Sequence, residues 1–174
     1  MVNKLKLNKM KKNILLLVMV LAFNLSSAQG NYEVSKYVDD MSGKVSYLSD
    51  VLILANAEES MGFTVQPVFR ESNELETLVI ENIGIGSSCV ENSTCIILFD
   101  DGTKLNLEAW NDFNCDGTNY MSLNKKQREH ILTSPIDRWR FTNGRDYTRY
   151  THKLLGKEKH YLQDILHSGV KVIK

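Results

Sequence analysis

The chain has 174 residues, of which 43% are hydrophobic, and it carries 21 basic and 21 acidic side chains. This balance is misleading, because a leader at residues 1–28 holds five of the lysines. The remaining 146 residues carry 16 basic and 21 acidic groups, a net charge of −5. That length suits one domain that folds without a metal, and the negative charge argues against a nucleic-acid-binding protein.

The first 28 residues have the three parts of a secretory signal peptide. Five lysines between residues 4 and 12 precede an apolar run at residues 14–23, and the small residues Ser26, Ser27 and Ala28 follow. The apolar run is too short to cross roughly 30 Å of hydrocarbon, so a permanent membrane span is the weaker interpretation. The sequence therefore predicts export to the periplasm, the cell surface or the extracellular space.

Short apolar runs bounded by Gly, Asn, Ser and acidic residues predict β-strands in the first half of the domain. The runs lie at residues 45–47, 51–55, 63–69 and 75–83. The polar residues 29–40 before them are predicted to form a loosely ordered arm. Pro67 has no amide hydrogen for a sheet ladder, so its strand is expected at a sheet edge or at a bulge.

A hairpin is predicted from residues 95–99 and 103–110, because Asp101-Gly102 between them is a two-residue turn signal. Such a turn pairs residues whose numbers add up to 203, and it sets Leu98 opposite Leu105. The first strand of this hairpin is apolar on both faces. It is therefore expected in the interior of a sheet.

A second hairpin is predicted from residues 136–141 and 145–150, because Asn143-Gly144 is the strongest short-range turn signal. With a two-residue turn, four side chains share its outer face: Arg138, Arg140, Tyr147 and Arg149. Guanidinium groups donate paired hydrogen bonds to phosphate, sulfate or carboxylate, so these residues form a candidate anion-binding site. The alternative is a solvated face, or one that the acidic half of the domain covers.

Apolar residues at helical spacing predict a short helix at residues 123–133 and a C-terminal helix at residues 157–167. The predicted elements together indicate a mainly β (α+β) fold. We expect a sandwich-like or curled antiparallel sheet with one short inserted helix and a C-terminal helix. Residues 29–174 are predicted to form this single domain.

Three cysteines remain after the leader, and an oxidising compartment favours a disulfide between two of them. Extending the first hairpin places Cys89 near Asn114, whereas Cys95 would lie opposite Glu108, far along the strand from Cys115. The sequence therefore predicts a Cys89–Cys115 bridge, if the ladder continues with at most one bulge. Cys95 is expected to be a small buried side chain rather than a catalytic thiol, which needs a nearby base.

Asp112, Asn114 and Asp116, followed by Gly117, match the first half of a calcium-binding loop. The twelfth position is Leu123, where the pattern requires a glutamate, so the three residues are only a weak candidate metal site. A polar turn is the preferred interpretation. The histidines show no metal-ligand spacing, no nucleophile elbow or phosphate loop occurs, and no cofactor is expected.

Three stretches, at residues 84–91, 99–103 and 110–117, together contain several turn glycines, aromatic residues expected in the core, and two of the cysteines. In these stretches the chain resembles a family of small uncharacterised secreted proteins of Bacteroidota bacteria. The similarity continues to Tyr147 and covers most of residues 38–165. The resemblance implies export and a pairing of Cys89 with Cys115, and it implies no catalytic residue.

The charge of the domain is unevenly distributed. Residues 29–116 carry 4 basic and 16 acidic groups, whereas residues 117–174 carry 12 basic and 5 acidic groups. The two halves would attract each other on folding, or the basic half would face an anionic partner. We expect an exported, non-enzymatic domain that binds an unknown protein or an anionic envelope ligand, or that stabilises an envelope component. A small envelope hydrolase with a dispersed active site and an inhibitor or immunity protein are the alternatives.

Overall fold

The strands of this computed structural model, which describes residues 33–70, 74–110 and 113–165, form two antiparallel sheets. The larger sheet contains β1 (Val34–Val38), β2 (Val45–Ser49), β3 (Leu52–Ala55), β4 (Gly62–Arg70), β5 (Leu75–Ile83) and β8 (Thr118–Ser122). The smaller sheet contains β6 (Thr94–Phe99), β7 (Lys104–Glu108), β9 (Ile136–Thr142) and β10 (Arg149–Lys153). The mainly β, antiparallel fold is therefore as predicted. The predicted leader lies outside the described residues.

The core lies between the inner faces of the two sheets. Phe63 of β4 lies 5.8 Å from Phe141 of β9 and 6.3 Å from Tyr150 of β10, measured between ring centroids. Alternate residues of β4, β6 and β9 are buried in this layer, as expected when one face of a sheet is buried. The fully buried side chains include Leu54, Val65, Leu78, Ile80, Ile97 and Trp139.

The first strand, β1, occupies part of the expected arm at residues 29–40. The prediction of a loose arm is wrong over Val34–Val38, which pairs with β2 along its whole length. β1 is an edge strand in the strand order, and most of its side chains are exposed. Such an edge strand is defined by its backbone pairing with β2, and Ser35 and Lys36 interrupt the apolar run that would have predicted it.

The strand that contains Pro67 is interior, which corrects the expectation of an edge. β4 pairs with β5 on one side and with both β2 and β3 on the other. The β2 register ends at Val68 and the β3 register begins at Val65, so Pro67 lies at the break between two partners. No ladder hydrogen bond is required from a residue at such a break. The register with β5 shifts between Val68 and Phe69, so the other alternative, a bulge, finds an irregularity one residue beyond Pro67.

The first hairpin exists, and its first strand is interior as predicted, but its register differs by one residue. Leu98 lies opposite Lys104, not opposite Leu105. The loop has three residues, because the Gly102 amide donates to the Phe99 carbonyl and the Phe99 amide donates to Thr103. Gly102 then adopts a φ of +83°, which is the common geometry of a type I turn followed by a left-handed residue.

The second hairpin has a loop of residues 143–148 instead of a two-residue turn, so the pairing predicted for it is wrong. Tyr150 lies opposite Phe141, and Lys153 opposite Arg138. Asn143-Gly144 does not form the turn, since the left-handed residue of this loop is Tyr147, with a φ of +61°.

The predicted short helix is α1 (Lys125–Thr133). It begins two residues later than expected because Asn124 caps it, accepting from the Gln127 amide while the Gln127 side chain accepts from the Asn124 amide, a capping box. The predicted C-terminal helix begins as a 3₁₀ turn, Gly156–His160, and continues as α-helix at residues 161–165. The rest of that prediction lies outside the described residues.

A buried asparagine joins the loop after β9 to the loop after β5. The Asn143 side chain is fully buried, and its Nδ2 donates to the carbonyls of Ile85 and Ser87 at 3.1 and 2.7 Å. The Asp146 carboxylate accepts from the Ser87 amide at 2.6 Å. The Asn143 amide thus gives these two carbonyls a donor from the loop after β9, and the Asp146 carboxylate satisfies the Ser87 amide.

Candidate functional site

The register of β9 and β10 decides which side chains face away from the core. Trp139 and Phe141 of β9 are buried. Arg138 and Arg140 alternate with them along the strand and therefore point outwards. Arg149 of β10 lies opposite Thr142 and therefore shares this outer face. The predicted grouping of the three arginines thus holds in the structure, although the pairing that suggested it was wrong.

Tyr147, the fourth predicted member, belongs to the loop and not to a strand. Two lysines take part instead. Lys153 lies opposite Arg138, and Lys104 of β7 lies opposite Leu98 on the same outer side. We call this five-residue set the cationic face: Lys104, Arg138, Arg140, Arg149 and Lys153. All five side chains belong to exposed residues.

Neither lysine was predicted on this face, because the loop length expected for the first hairpin was wrong and the second strand expected for the second hairpin was too short. A two-residue turn at Asp101-Gly102 sets Lys104 opposite Phe99, which is buried, and so turns the lysine away from the arginines. Lys153 lay beyond the predicted end of the second strand. The correct loop lengths would have placed both lysines on the outer face, since side-chain direction alternates along a strand.

Two guanidinium groups of the cationic face are held by neighbours through their Nε atoms. Nε of Arg138 donates to the Asp137 carboxylate at 2.6 Å, and Nε of Arg140 donates to the Thr151 hydroxyl at 3.0 Å. Within the described residues, no hydrogen bond or ion pair uses the terminal nitrogens of either side chain. An oriented guanidinium loses little conformational entropy when it binds an anion.

The electrostatics of the face are visible in the pKa of the Asp137 carboxyl. The hydrogen bond from Arg138 lowers that pKa below its usual value, and the charges of Arg138, Lys153 and Lys159 lower it further, against the effect of desolvation. Asp137 is therefore ionised at neutral pH and keeps Arg138 oriented. Among the described residues, Lys104, Arg149 and Lys153 have no salt-bridge partner.

A depression of about 270 Å³ lies on the same face of the smaller sheet. It is lined by side chains of four neighbouring strands: Ile96, Leu98, Lys104, Arg138, Arg140 and Thr151. Ile96 and Leu98 are half-buried and come from β6, between the cations of β9 and the lysine of β7. The depression therefore combines an apolar floor with charged flanks.

The other sequence candidates do not add to this face. Cys89 and Cys115 form the predicted disulfide, which the Val90–Asn114 bridge beside it positions. Cys95 is fully buried, and desolvation raises the pKa of its thiol far above the usual value. A thiol in that state is not a nucleophile.

The weak metal candidate is only partly visible, because Asp112 lies outside the described residues. The Asn114 side chain is used in its own turn, where Nδ2 donates to the Thr118 carbonyl at 2.8 Å and Oδ1 accepts from the Thr118 amide. Over the described ranges, no group of three His, Cys, Asp or Glu side chains is arranged to hold a metal ion.

One cluster joins a carboxylate, a hydroxyl and an imidazole. Thr103 Oγ1 lies 2.6 Å from Asp101 Oδ1 and 2.8 Å from His130 Nε2. Here the carboxylate contacts the hydroxyl, whereas a catalytic triad needs the carboxylate on the imidazole, to orient the base. The cluster fixes α1 against the first hairpin loop.

No helix in the described part of the chain is long and apolar enough to cross a membrane. The chain matches no protein-family model, no curated protein and no solved structure at a significant level.

Proposed function

We propose that this protein is an exported, non-enzymatic binding module that takes an anionic ligand on its cationic face. One observation carries the proposal. Arg138 and Arg140 are fixed through Nε, so their terminal nitrogens are oriented for an incoming anion at the depression. A fork of fixed N–H donors suits carboxylate, phosphate and sulfate groups, which accept two parallel hydrogen bonds.

Export is supported by two features of different kinds. The leader at residues 1–28 has the composition of a signal peptide, and the Cys89–Cys115 disulfide is of the kind that persists in oxidising compartments. Intact mass of the protein recovered from its native cell tests this part. We expect a mass that starts at Gln29 and is two hydrogens lighter than the reduced chain, and a full-length, fully reduced mass would contradict export.

Titration calorimetry with inorganic polyphosphate as the probe tests the binding function. We expect the double variant Arg138→Gln/Arg140→Gln to bind at least tenfold more weakly than the wild type, which corresponds to about 1.4 kcal/mol. The matched control is Lys125→Gln/Lys126→Gln, which removes the same charge from exposed residues of α1. It should change the affinity less than twofold.

The control separates a site from a general effect of charge. Equal loss of affinity in both double variants would show that only net charge matters, and no binding by the wild type would remove the proposal. Affinity should also fall as salt concentration rises, because exposed charges are screened within about 10 Å at 0.1 M ionic strength.

A further inference from the structure

The outer side of β6 is apolar, although it faces away from the core. Cys95, Ile97 and Phe99 alternate into the core, and Ile96 and Leu98 point to the other face. A sheet with one solvated face normally alternates apolar and polar residues. In β6 the outward residues Ile96 and Leu98 are apolar instead, and they form the floor of the depression beside the oriented arginines.

The strand order places this apolar floor between the arginines of β9 on one side and Lys104 of β7 on the other. In one cross-strand row, Leu98 lies between Arg138 and Lys104, and in the next row Ile96 lies between Arg140 and Asn106. Neighbouring strands are about 4.8 Å apart, so the flanking strands are roughly 10 Å apart with the apolar strand between them. A bare anion would contact only the flanks.

We infer that the ligand of this face is a free, single-tailed anionic amphiphile, with one phosphate or carboxylate group on a short apolar tail. This inference rests on the proposed function and narrows its ligand class. The acidic group would accept from the terminal nitrogens of Arg138 and Arg140, and the tail would cover Ile96 and Leu98. Burial of apolar surface adds affinity that a bare anion lacks.

The size of the depression supports a small ligand. Its volume of about 270 Å³ is below the usual range of pockets for drug-sized molecules. An acidic head group and the first methylene groups of a single tail fit that space, and the two tails of a complete lipid do not.

Three soluble probes test the inference by calorimetry, each used below its micelle concentration: octyl phosphate, inorganic phosphate and octyl glucoside. Octyl phosphate should bind at least tenfold more tightly than either of the other two, because only it has both an anion and a tail. Equal affinity for octyl phosphate and inorganic phosphate would overturn the inference and leave anion binding intact. No binding of any anion would overturn the proposed function itself.

The double variant Ile96→Thr/Leu98→Thr removes the apolar floor and keeps β-forming residues. It should lower the affinity for octyl phosphate at least tenfold, to near that for inorganic phosphate. The matched control is Ile53→Thr, an exposed position on the larger sheet, and it should change neither affinity. If the double variant does not fold, the comparison of the three probes on the wild type still decides.

Vesicles of phosphatidylglycerol and phosphatidylcholine distinguish a membrane surface from a free amphiphile. We expect no co-sedimentation of the protein with these vesicles under conditions where octyl phosphate binds. Strong co-sedimentation that Ile96→Thr/Leu98→Thr abolishes would overturn the choice of a free ligand. A shift to dimers on sedimentation that the same variant abolishes would instead assign the face to a second copy of the chain.

Discussion

The Asn143 amide donates to the Ser87 carbonyl across 56 residues of sequence, from the end of β9 to the loop that follows β5. The same nitrogen also donates to the Ile85 carbonyl. The Asn82 side chain donates to both of these carbonyls as well, at 3.0 Å each. Asn82 near the end of β5 and Asn143 just after β9 thus hold the same loop.

Asn143→Ala should lower the free energy of unfolding by about 3 kcal/mol, because three hydrogen bonds of about 1 kcal/mol each are lost: two to the carbonyls and one that the side chain accepts from the Arg145 amide. The carbonyls keep Asn82 as a donor, so the larger penalty for unpaired buried groups does not apply. Urea unfolding measures the effect. Asn106→Ala, on the exposed face of β7, is the matched control, and a loss as large as that of Asn143→Ala would contradict a specific role for the buried amide.

Removal of the disulfide by Cys89→Ser/Cys115→Ser should cost about 3–4 kcal/mol, from the entropy of the loop that the bond closes; the two cysteines are 26 residues apart. Thermal unfolding with and without reductant measures the effect. Reductant should lower the melting temperature of the wild type and of Cys95→Ala. It should have no effect on the double variant, and an effect there would contradict the assignment of the bridge.

Gly144→Ala should destabilise the protein more than Gly43→Ala, although Gly43 has a positive φ and Gly144 does not. A Cβ at Gly144 would lie 2.0 Å from the Glu91 carbonyl oxygen, so backbone must move, at a cost of about 2–3 kcal/mol. Gly43 has a φ of +67°, and a Cβ there would meet nothing within 4 Å, so Gly43→Ala should cost only about 1 kcal/mol. Equal losses in chemical denaturation would show that loop 143–148 moves away freely.

The Asp146 carboxylate should make the stability of the loop junction depend on pH. Backbone hydrogen bonds from Thr148 and Ser87 lower the pKa of this carboxyl below its usual value. A lowered pKa contributes stability that is fully present above the unfolded pKa, about 3.9, and that is lost as pH falls through the folded pKa. The stability difference between wild type and Asp146→Asn should therefore be constant near neutral pH and shrink below about pH 4.

Urea unfolding of both proteins over this pH range measures the effect. A stability difference that does not change with pH would mean that the charge of Asp146 has no part in it.

The sequence predicted which residues form strands better than it predicted how the strands pair. β5 has the predicted bounds, Leu75–Ile83, because apolar runs report burial directly. The register of each hairpin depends on its loop, and one loop residue more moves every side chain to the other face. Asp101-Gly102 fits both a two-residue and a three-residue loop, and the hydrogen bonds of Gly102 and Thr103 are what distinguish them.

The two-residue turn predicted at Asn143-Gly144 was wrong for a different reason. This pair usually marks a turn, but here the asparagine is a buried donor to a distant loop and the glycine gives room for the Glu91 backbone. Both roles depend on residues about 50 positions away, which a local pattern does not contain. The candidate site was therefore predicted by its arginines and completed only by the tertiary register, which added Lys104 and Lys153.

β10 ends the strand order of the smaller sheet, so one side of its backbone has no partner strand in the described residues. Such an edge can recruit a strand of another molecule and start aggregation. Arg149 and Lys153 stand on this strand, and a second chain aligned there would bring charged side chains into contact. Neutralising the two residues together should thus make the protein more prone to aggregate, whether or not a ligand is present.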